Sequence, residues 1–270
     1  MVSYGDYMKT VLLFFLLTSS FFARESITRY DVFATLFGKV GYCDVLIKED
    51  GSTYEVKVTA QTIDVAALLL KERVETFESR GSIKNGKYIP NIFIKTKKTT
   101  RRTRVQTYTF NHEKKEVLLI EEKVKVVNKT RFDSQDFKFV TREVEEKSRK
   151  EELLDPFLAD DTLSIYLNSR YGCDGAQKKH QIFAIGAHND KNKIYYECLT
   201  DKTKAAAQQK FGSNAHIIYN LHVEPFDKDD KVVDTLFVYD KDGLLQEGLM
   251  DEIFWVGSMR AVRVSHKIVN

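Results

Sequence analysis

The sequence predicts a mainly β protein with one or two helices, in which a curved, open-barrel-like antiparallel sheet is covered by a helix. Most of the chain alternates apolar and polar residues with the period of two that is typical of strands. Residues 155–171 (DPFLADDTLSIYLNSRY) instead show helical spacing, with Asp155 as a capping residue and Pro156 suited to the first helical position. One side of this helix gathers four apolar residues: Leu158, Leu163, Tyr166 and Leu167. Because an apolar-faced helix among strands needs a sheet to lie on, we expect the sheet to curl around it.

The N-terminus has the composition of a secretory signal peptide, which we place at residues 1–23. Residues 8–10 supply a short basic start, residues 11–17 are uninterrupted apolar sequence, and small residues follow. Cleavage after Ser20 and cleavage after Ala23 are both open. An uncleaved anchor is the alternative, but the apolar run is short for a bilayer span. The sequence therefore predicts a periplasmic protein with no stable membrane span after processing.

Export implies an oxidising compartment in which cysteines can pair. The chain has three cysteines, an odd number. Cys43 alternates in step with Val45 and Ile47, so we expect it to face the core. A disulfide between Cys173 and Cys198 would join the end of the long helix to a strand, and three reduced, buried thiols are the alternative.

In the first half of the chain, turn signals at residues 49–52, 85–86 and 111–115 separate the predicted strands. Asp64 is expected to cap the apolar run VAALLLK, which is either a short helix or a corner of the sheet. Residues 92–110 read as one long strand or two broken ones.

Residues 123–154 are polar and heavily charged, and we expect a solvated connector or a frayed helix there. The mature chain, residues 24–270, is predicted to be a single β-rich domain, and any subdivision falls in this connector. Beyond the long helix, alternation predicts six further strands, at residues 180–187, 193–199, 215–224, 232–239, 253–256 and 260–267.

The charge is nearly balanced, with 42 basic and 39 acidic residues. Such a balance argues against a dedicated nucleic-acid binder, so we expect no nucleic-acid partner. Residues 95–104 (KTKKTTRRTR) concentrate six cations among threonines. This run either meets the phosphate groups of lipids or acidic envelope polymers, or is a wet strand or sheet edge whose charges discourage aggregation.

Motifs of known enzyme classes are absent from the sequence: there is no GxSxG, HExxH, phosphate loop, CxxC or dinucleotide fingerprint. A hydrolase stays open because four possible acid or base residues lie close together in sequence: His180, His188, Asp190 and Asp174. His216 and His222 share one face of a predicted strand but would lie about 20 Å apart along it, too far to hold one metal ion. The sequence thus predicts no metal site, no cofactor and no catalytic residues.

Aromatic residues occur in many of the predicted strands, so they could line one shared interior. The candidates for lining a ligand are Tyr30, Phe33, Tyr54, Tyr108, Phe110, Tyr166, Phe237 and Trp255. A packed core would use the same residues. The two readings differ in volume, because a carrier leaves a cavity of about 300 Å³ or more whereas a structural domain fills it.

Several stretches resemble a bacterial family of exported proteins, the domain of unknown function numbered thirty-one hundred and eight. They are YDVFATLFGKVGYCDVLI, VAALLLKERVETFES, TFNHEKKEV, DPFLADDTLSIYLNSR and the closing strands after Asp240. The resemblance covers nearly all of the mature chain and implies a periplasmic, β-rich, open-barrel-like protein with no established activity. The architecture is also similar to lipoprotein carriers, in which a curved sheet wraps an apolar cavity closed by helices.

Three hypotheses for function follow. The first is a non-enzymatic periplasmic protein that binds an amphiphilic envelope component, such as a lipid or lipoprotein, or an exported polypeptide within a curved sheet. The second is an envelope assembly or scaffold protein that acts through its surface. The third is a periplasmic hydrolase.

Overall fold

The computed structural model describes residues 24–169, 179–186, 193–198, 205, 211, 217–223, 233–253 and 257–269. Within these ranges the strands form one antiparallel sheet. They are β1 (Arg24–Ala34), β2 (Gly38–Asp50), β3 (Thr53–Thr62), β4 (Val74–Lys84), β5 (Lys87–Thr99), β6 (Arg102–Asn111), β7 (Glu116–Asp133), β8 (Lys138–Leu154), β9 (Lys179–Phe183), β10 (Lys193–Cys198), β11 (Ile217–Val223), β12 (Val233–Tyr239), β13 (Leu245–Ile253) and β14 (Gly257–Val269). Two helices accompany them, α1 (Asp64–Leu69) and α2 (Thr162–Ser169).

The sheet is a meander from β1 to β8 joined to a second meander from β9 to β14. The pairing of β1 with β14 connects the two, and it includes a register shift after Arg29. The sheet is open, because β8 and β9 are its two edges and are not paired with each other. Tight turns with left-handed residues join neighbouring strands, as at Asn85 and Gly86, where both φ angles are positive.

Helix α2 lies inside the curve of the sheet. It packs on β4 and β5, and the ring of Tyr166 lies 6.3 Å from that of Tyr239 in β12. Since β5 and β12 are far apart in the order of the sheet, strands from both halves reach one helix only if the sheet curls around it. The mainly β fold with a helix-covered, open, curved sheet is therefore confirmed.

The core lies between α2 and the concave face of the sheet. Residues two positions apart on one strand, such as Val45 and Ile47 or Tyr54 and Val56, face it together, as the period of two requires. Its buried members are Tyr30, Val45, Ile47, Tyr54, Val56, Tyr88, Phe93, Tyr108, Phe110, Val117, Leu163, Leu167 and Ile185. Cys43 packs against this cluster as expected, and burial raises the pKa of its thiol to about 12.

The expected start of the long helix is wrong. Asp155 and Pro156 precede α2 and are joined by a cis peptide bond. The helix begins at Thr162 because Asp161 caps it, accepting hydrogen bonds from the amides of Leu163 at 2.7 Å and Ser164 at 2.8 Å. The sequence offers an aspartate at each site, and a tertiary contact selects the second.

That contact is a short parallel bridge between Asp161 and Ile185. The amide of Ile185 donates to the carbonyl of Asp160 at 2.9 Å, and the amide of Thr162 donates to the carbonyl of Ile185 at 3.0 Å. The chain just before α2 is thereby held extended, and the helix cannot begin earlier.

The expectation of a connector or frayed helix at residues 123–154 is also wrong. This segment belongs to a long hairpin in which β7 and β8 pair from Val117–Leu154 to Asp133–Lys138. Cross-strand ion pairs, such as that of Lys129 with Glu146 at 3.0 Å, bring opposite charges of the two strands together. A strand exposed on both faces has no apolar alternation, which is why the pattern did not reveal it.

Other expectations differ in detail. The VAALLLK run is helical in α1, but Ile63 occupies its N-cap position without a side-chain hydrogen bond, so Asp64 does not cap it. The strand expected at residues 253–256 overlaps the described residues only at Ile253, the last residue of β13. The rest of β13 was not predicted, because Glu247 is buried in an ion pair with Arg260 and interrupts the apolar pattern. The signal peptide at residues 1–23 lies outside the described residues.

Candidate functional site

The aromatic residues proposed to line a ligand are placed in three kinds of environment. Four lie buried in the core beneath α2: Tyr30, Tyr54, Tyr108 and Phe110. Tyr166 of α2 packs against that core, and Phe237 of β12 lies close to Gly248 on the neighbouring strand. Phe33 is 38% exposed and stands apart from the core. Trp255 and Cys173 lie outside the described residues, as does the side chain of Cys198, so the disulfide stays a prediction.

A polar network lies beneath the first turn of α2. The hydroxyls of Tyr54 and Ser79 are 2.9 Å apart, and Ser79 donates a hydrogen bond of 2.6 Å to Oδ2 of Asp161. All three side chains are buried. Burial raises the pKa of Asp161 to about 6, although the hydrogen bonds from Ser79, Ser164 and Leu163 act in the opposite direction. Since each member has a partner in the network, its evident role is to anchor α2 to β3 and β4.

An apolar groove lies on the concave face away from α2, beneath α1. Its volume is about 380 Å³, and the walls come from α1, the β1–β2 turn and the ends of neighbouring strands. Its apolar lining includes Val32, Phe37, Ala60, Ala66, Leu69 and Met259. Leu69 and Phe37 are also largely exposed to solvent, at 58% and 44%. The groove is thus an apolar surface that the core leaves uncovered.

Two charged residues, Arg73 and Glu75, complete the groove wall. The guanidinium Nε of Arg73 donates to Glu75 Oε1 at 3.0 Å. The same carboxylate lies 3.9 Å from Nζ of Lys97 on β5. The groove therefore continues into a row of charges on the concave face.

This row, here named the cation cluster, consists of Arg73, Lys95, Lys97, Arg104 and Lys123. The strand registers place these side chains side by side, because Lys97 is paired with Arg104 and Arg104 with Lys123. Glu75 and Glu121 are the two carboxylates that ion-pair with the cluster among the described residues. Five cations thus face two carboxylates.

The electrostatics of the cluster reflect this excess of positive charge. Burial lowers the pKa of Lys95, Glu75 opposes this shift, and the neighbouring cations add to it. The ammonium of Lys95 lies over the ring of Phe77 at 5.4 Å. Burial also lowers the pKa of Lys97, with Arg73 and Arg104 adding to the effect. Burial alone would raise the pKa of Glu121, but hydrogen bonds from Lys123 and Arg104 outweigh it and hold the pKa below its usual range.

No metal centre is found in the part of the chain that the structure describes. No group of three or more metal-ligating side chains occurs there. The side chains of His180, His188 and Asp190, and those of His216 and His222, lie outside the described residues. Among the helices of the described ranges, none combines the length and apolar character needed to cross a bilayer.

Comparison with known proteins returned little. No family model matches the chain, and no curated protein matches it. Among solved structures, the chain is similar to a beta-barrel-like protein of the domain of unknown function DUF1849 from Brucella abortus. The TM-score is 0.40 at 14% sequence identity, and the match covers 92% of this chain and 98% of that chain.

Sequence reasoning missed the groove because it sought a cavity lined by the eight aromatic candidates, and four of these are buried in the core. One signal was available. Leu68, Leu69 and Leu70 are consecutive apolar residues, and three consecutive residues of a helix cannot all face the same core. In the structure Leu68 is 80% exposed. The basic run at residues 95–104 was expected either to meet anionic groups or to be a wet strand or sheet edge. Because β5 and β6 are interior strands, the sheet-edge alternative is wrong.

Proposed function

We propose that the protein is a non-enzymatic periplasmic binding protein that holds an amphiphilic component of the cell envelope on its concave face. The apolar part of the ligand lies in the groove beneath α1, and an anionic head group lies at the cation cluster. The observation that carries this proposal is the continuity of the two surfaces, since Arg73 and Glu75 line the groove and also belong to the row of charges.

The size and lining of the groove support a small apolar ligand. Pockets that bind such ligands usually have volumes of about 300–1,000 Å³ and mostly apolar walls. A groove of about 380 Å³ with Leu69, Ala66 and Val32 in its wall meets both conditions. The aromatic residues of the core stay packed around α2, so the ligand enters without displacing the helix.

The charge of the cluster supports an anionic head group. Each Lys or Arg near an anionic surface contributes about 1 kcal/mol to binding. Lys95 is the most available cation, because no carboxylate of the described residues lies within ion-pair distance of it, and its partial burial strengthens electrostatic interactions by lowering the local dielectric. A neutral head group would gain none of this energy.

Isothermal titration calorimetry with dodecyl phosphate tests the proposal, with the neutral dodecyl maltoside as the matched ligand. Because two cations are lost, the double variant Lys95→Gln, Lys97→Gln should weaken dodecyl phosphate binding roughly 30-fold and leave dodecyl maltoside binding unchanged. The variant Lys98→Gln, on the opposite face of β5, is the control and should bind as the unmodified protein does. A bulky Ala66→Trp substitution in the groove should weaken both ligands.

Absence of binding by the unmodified protein, or equal binding of both ligands by every variant, would remove the basis of the proposal. The periplasmic location is tested separately. Cell fractionation and N-terminal sequencing of the full chain should find a periplasmic protein that begins after residue 20 or residue 23.

A further inference from the structure

The β7–β8 hairpin extends beyond the rest of the sheet. The pairing of β6 with β7 ends at Arg102–Lys125, whereas β7 and β8 remain paired to Asp133–Lys138. The eight residue pairs from Val126–Glu145 onward extend over about 25 Å at the usual rise of a strand. The far end of this ribbon, residues 129–142, is here named the hairpin tip.

Three phenylalanines cluster at the hairpin tip. Phe132, Phe137 and Phe139 are 47%, 83% and 75% exposed. Their rings contact one another edge to face, with the centroid of Phe132 lying 6.3 Å from that of Phe137 and 5.3 Å from that of Phe139. The cluster lies far from the core, so folding of the domain does not account for three large apolar rings held in water.

Positive charge lies on the opposite face of the ribbon, because the cationic residues 129, 131, 138 and 142 alternate with Phe132 and Phe139 along the paired strands. The hairpin tip contains four cations, Lys129, Arg131, Lys138 and Arg142, and two carboxylates, Asp133 and Asp136. Lys138 pairs with Asp136 at 2.7 Å. Within the described part of the chain, no carboxylate lies within ion-pair distance of Arg131 or Arg142. The tip therefore presents apolar rings on one face and the cations Arg131 and Arg142, which are free to bind anions, on the other.

We propose that the hairpin tip docks the protein on an anionic lipid bilayer. The tip enters end-on, so that the three rings reach the boundary between head groups and acyl chains, where aromatic residues are favoured, and the cations of the opposite face contact lipid phosphates. The backbone of the tip keeps its own hydrogen bonds across the hairpin, so shallow insertion leaves few unsatisfied groups. This docking does not depend on a ligand in the groove.

The area of the cluster favours a membrane over a protein partner. A buried phenylalanine removes roughly 150–250 Å² from water, so three partly exposed rings offer about 400 Å². A stable protein interface needs about 800 Å² on each partner. A bilayer surface requires no such area from one contact, because many lipid phosphates are available to the cations of the tip.

Co-sedimentation of the full chain with lipid vesicles tests the docking. We expect binding to phosphatidylcholine vesicles that contain phosphatidylglycerol, weaker binding to pure phosphatidylcholine, and loss of the difference at high salt. The double variant Phe137→Ser, Phe139→Ser should weaken binding at least roughly tenfold. Leu36→Ser, which removes an exposed apolar side chain from the β1–β2 turn, is the matched control and should bind normally.

The charge contribution is tested by Arg131→Glu, Arg142→Glu, which should abolish the preference for anionic vesicles. A Phe137→Trp variant should show a blue-shifted emission on vesicles and quenching by brominated lipids, which reports insertion rather than surface adsorption. Unaltered vesicle binding by the phenylalanine variant, or no binding by the unmodified protein, would overturn the proposal. A third outcome is that the unmodified protein dimerises in a concentration-dependent way, that the phenylalanine variant does not, and that neither binds vesicles. The hairpin tip would then bind a second copy of the chain and not a membrane.

Discussion

The buried carboxylate of Asp161 should make stability depend on pH in a direction opposite to that of most acidic groups. Its pKa is about 6 in the folded protein against an ordinary value of 3.8. Between these two values the folded state holds a proton that the unfolded state has lost, so the stability that Asp161 contributes is present below pH 4 and is lost as pH rises through 6. The difference between the two pKa values corresponds to about 3 kcal/mol.

The variant Asp161→Asn isolates this effect. The amide oxygen can still cap α2 by accepting from Leu163 and Ser164, and the amide nitrogen can donate to Ser79, but the side chain never ionises. We therefore expect the variant to match the unmodified protein near pH 4 and to be more stable by up to about 3 kcal/mol near pH 7.5.

Urea unfolding, followed by circular dichroism at several values between about pH 4 and pH 7.5, measures this difference directly. Other carboxylates titrate in both proteins, so their contributions cancel in the comparison. Asp50→Asn, at the exposed end of β2, is the matched control for the loss of one carboxylate. If the unfolding free energies of Asp161→Asn and of the unmodified protein vary with pH in parallel, ionisation of Asp161 does not destabilise the folded protein, and the reasoning is refuted.

Two further predictions concern the packing of the fold, and thermal or urea unfolding measures both. Phe93 is fully buried beneath α2, so Phe93→Ala should cost about 3–5 kcal/mol, whereas Phe33→Ala, at a residue 38% exposed, should cost less than about 1 kcal/mol. Similar costs for the two would contradict the assignment of the core. A Cβ on Gly81 would lie 2.0 Å from the carbonyl oxygen of Ile89, so Gly81→Ala should destabilise by about 1–3 kcal/mol. Gly248→Ala, where the nearest contact is 3.4 Å, is the control, and a harmless Gly81→Ala would refute the close strand approach.

The sequence predicted the class of the fold and the role of α2 because both depend on local periodicity. Alternation predicted most strands of the first half, and the turns at residues 49–52, 85–86 and 111–115 follow from residues that tolerate tight backbone conformations. The inward orientation of Cys43 followed from the same alternation. These features need no knowledge of which strands become neighbours.

The start of α2 and the β7–β8 hairpin could not be predicted in this way. Asp155 and Asp161 are equally good capping residues in the sequence, and the bridge to Ile185 decides between them. The strands of the hairpin are stabilised by pairing with each other and by cross-strand charges such as Lys129 and Glu146. Neither the bridge to Ile185 nor the pairing of β7 with β8 gives the sequence a periodic pattern, because each depends on a second segment that is distant in the sequence or unknown from it.

By itself, the sequence determined that this chain forms a curved antiparallel sheet around a helix, because the spacing of apolar residues indicates which face of each strand or helix is buried. Only the tertiary structure decided which apolar residues remain uncovered. Pairing in register places Lys97 beside Arg104, and Arg73, which shares the carboxylate of Glu75 with Lys97, brings the groove beneath α1 next to them. A surface made of residues from five strands and a helix has no signature in the order of the residues, because it exists only after the strands have paired.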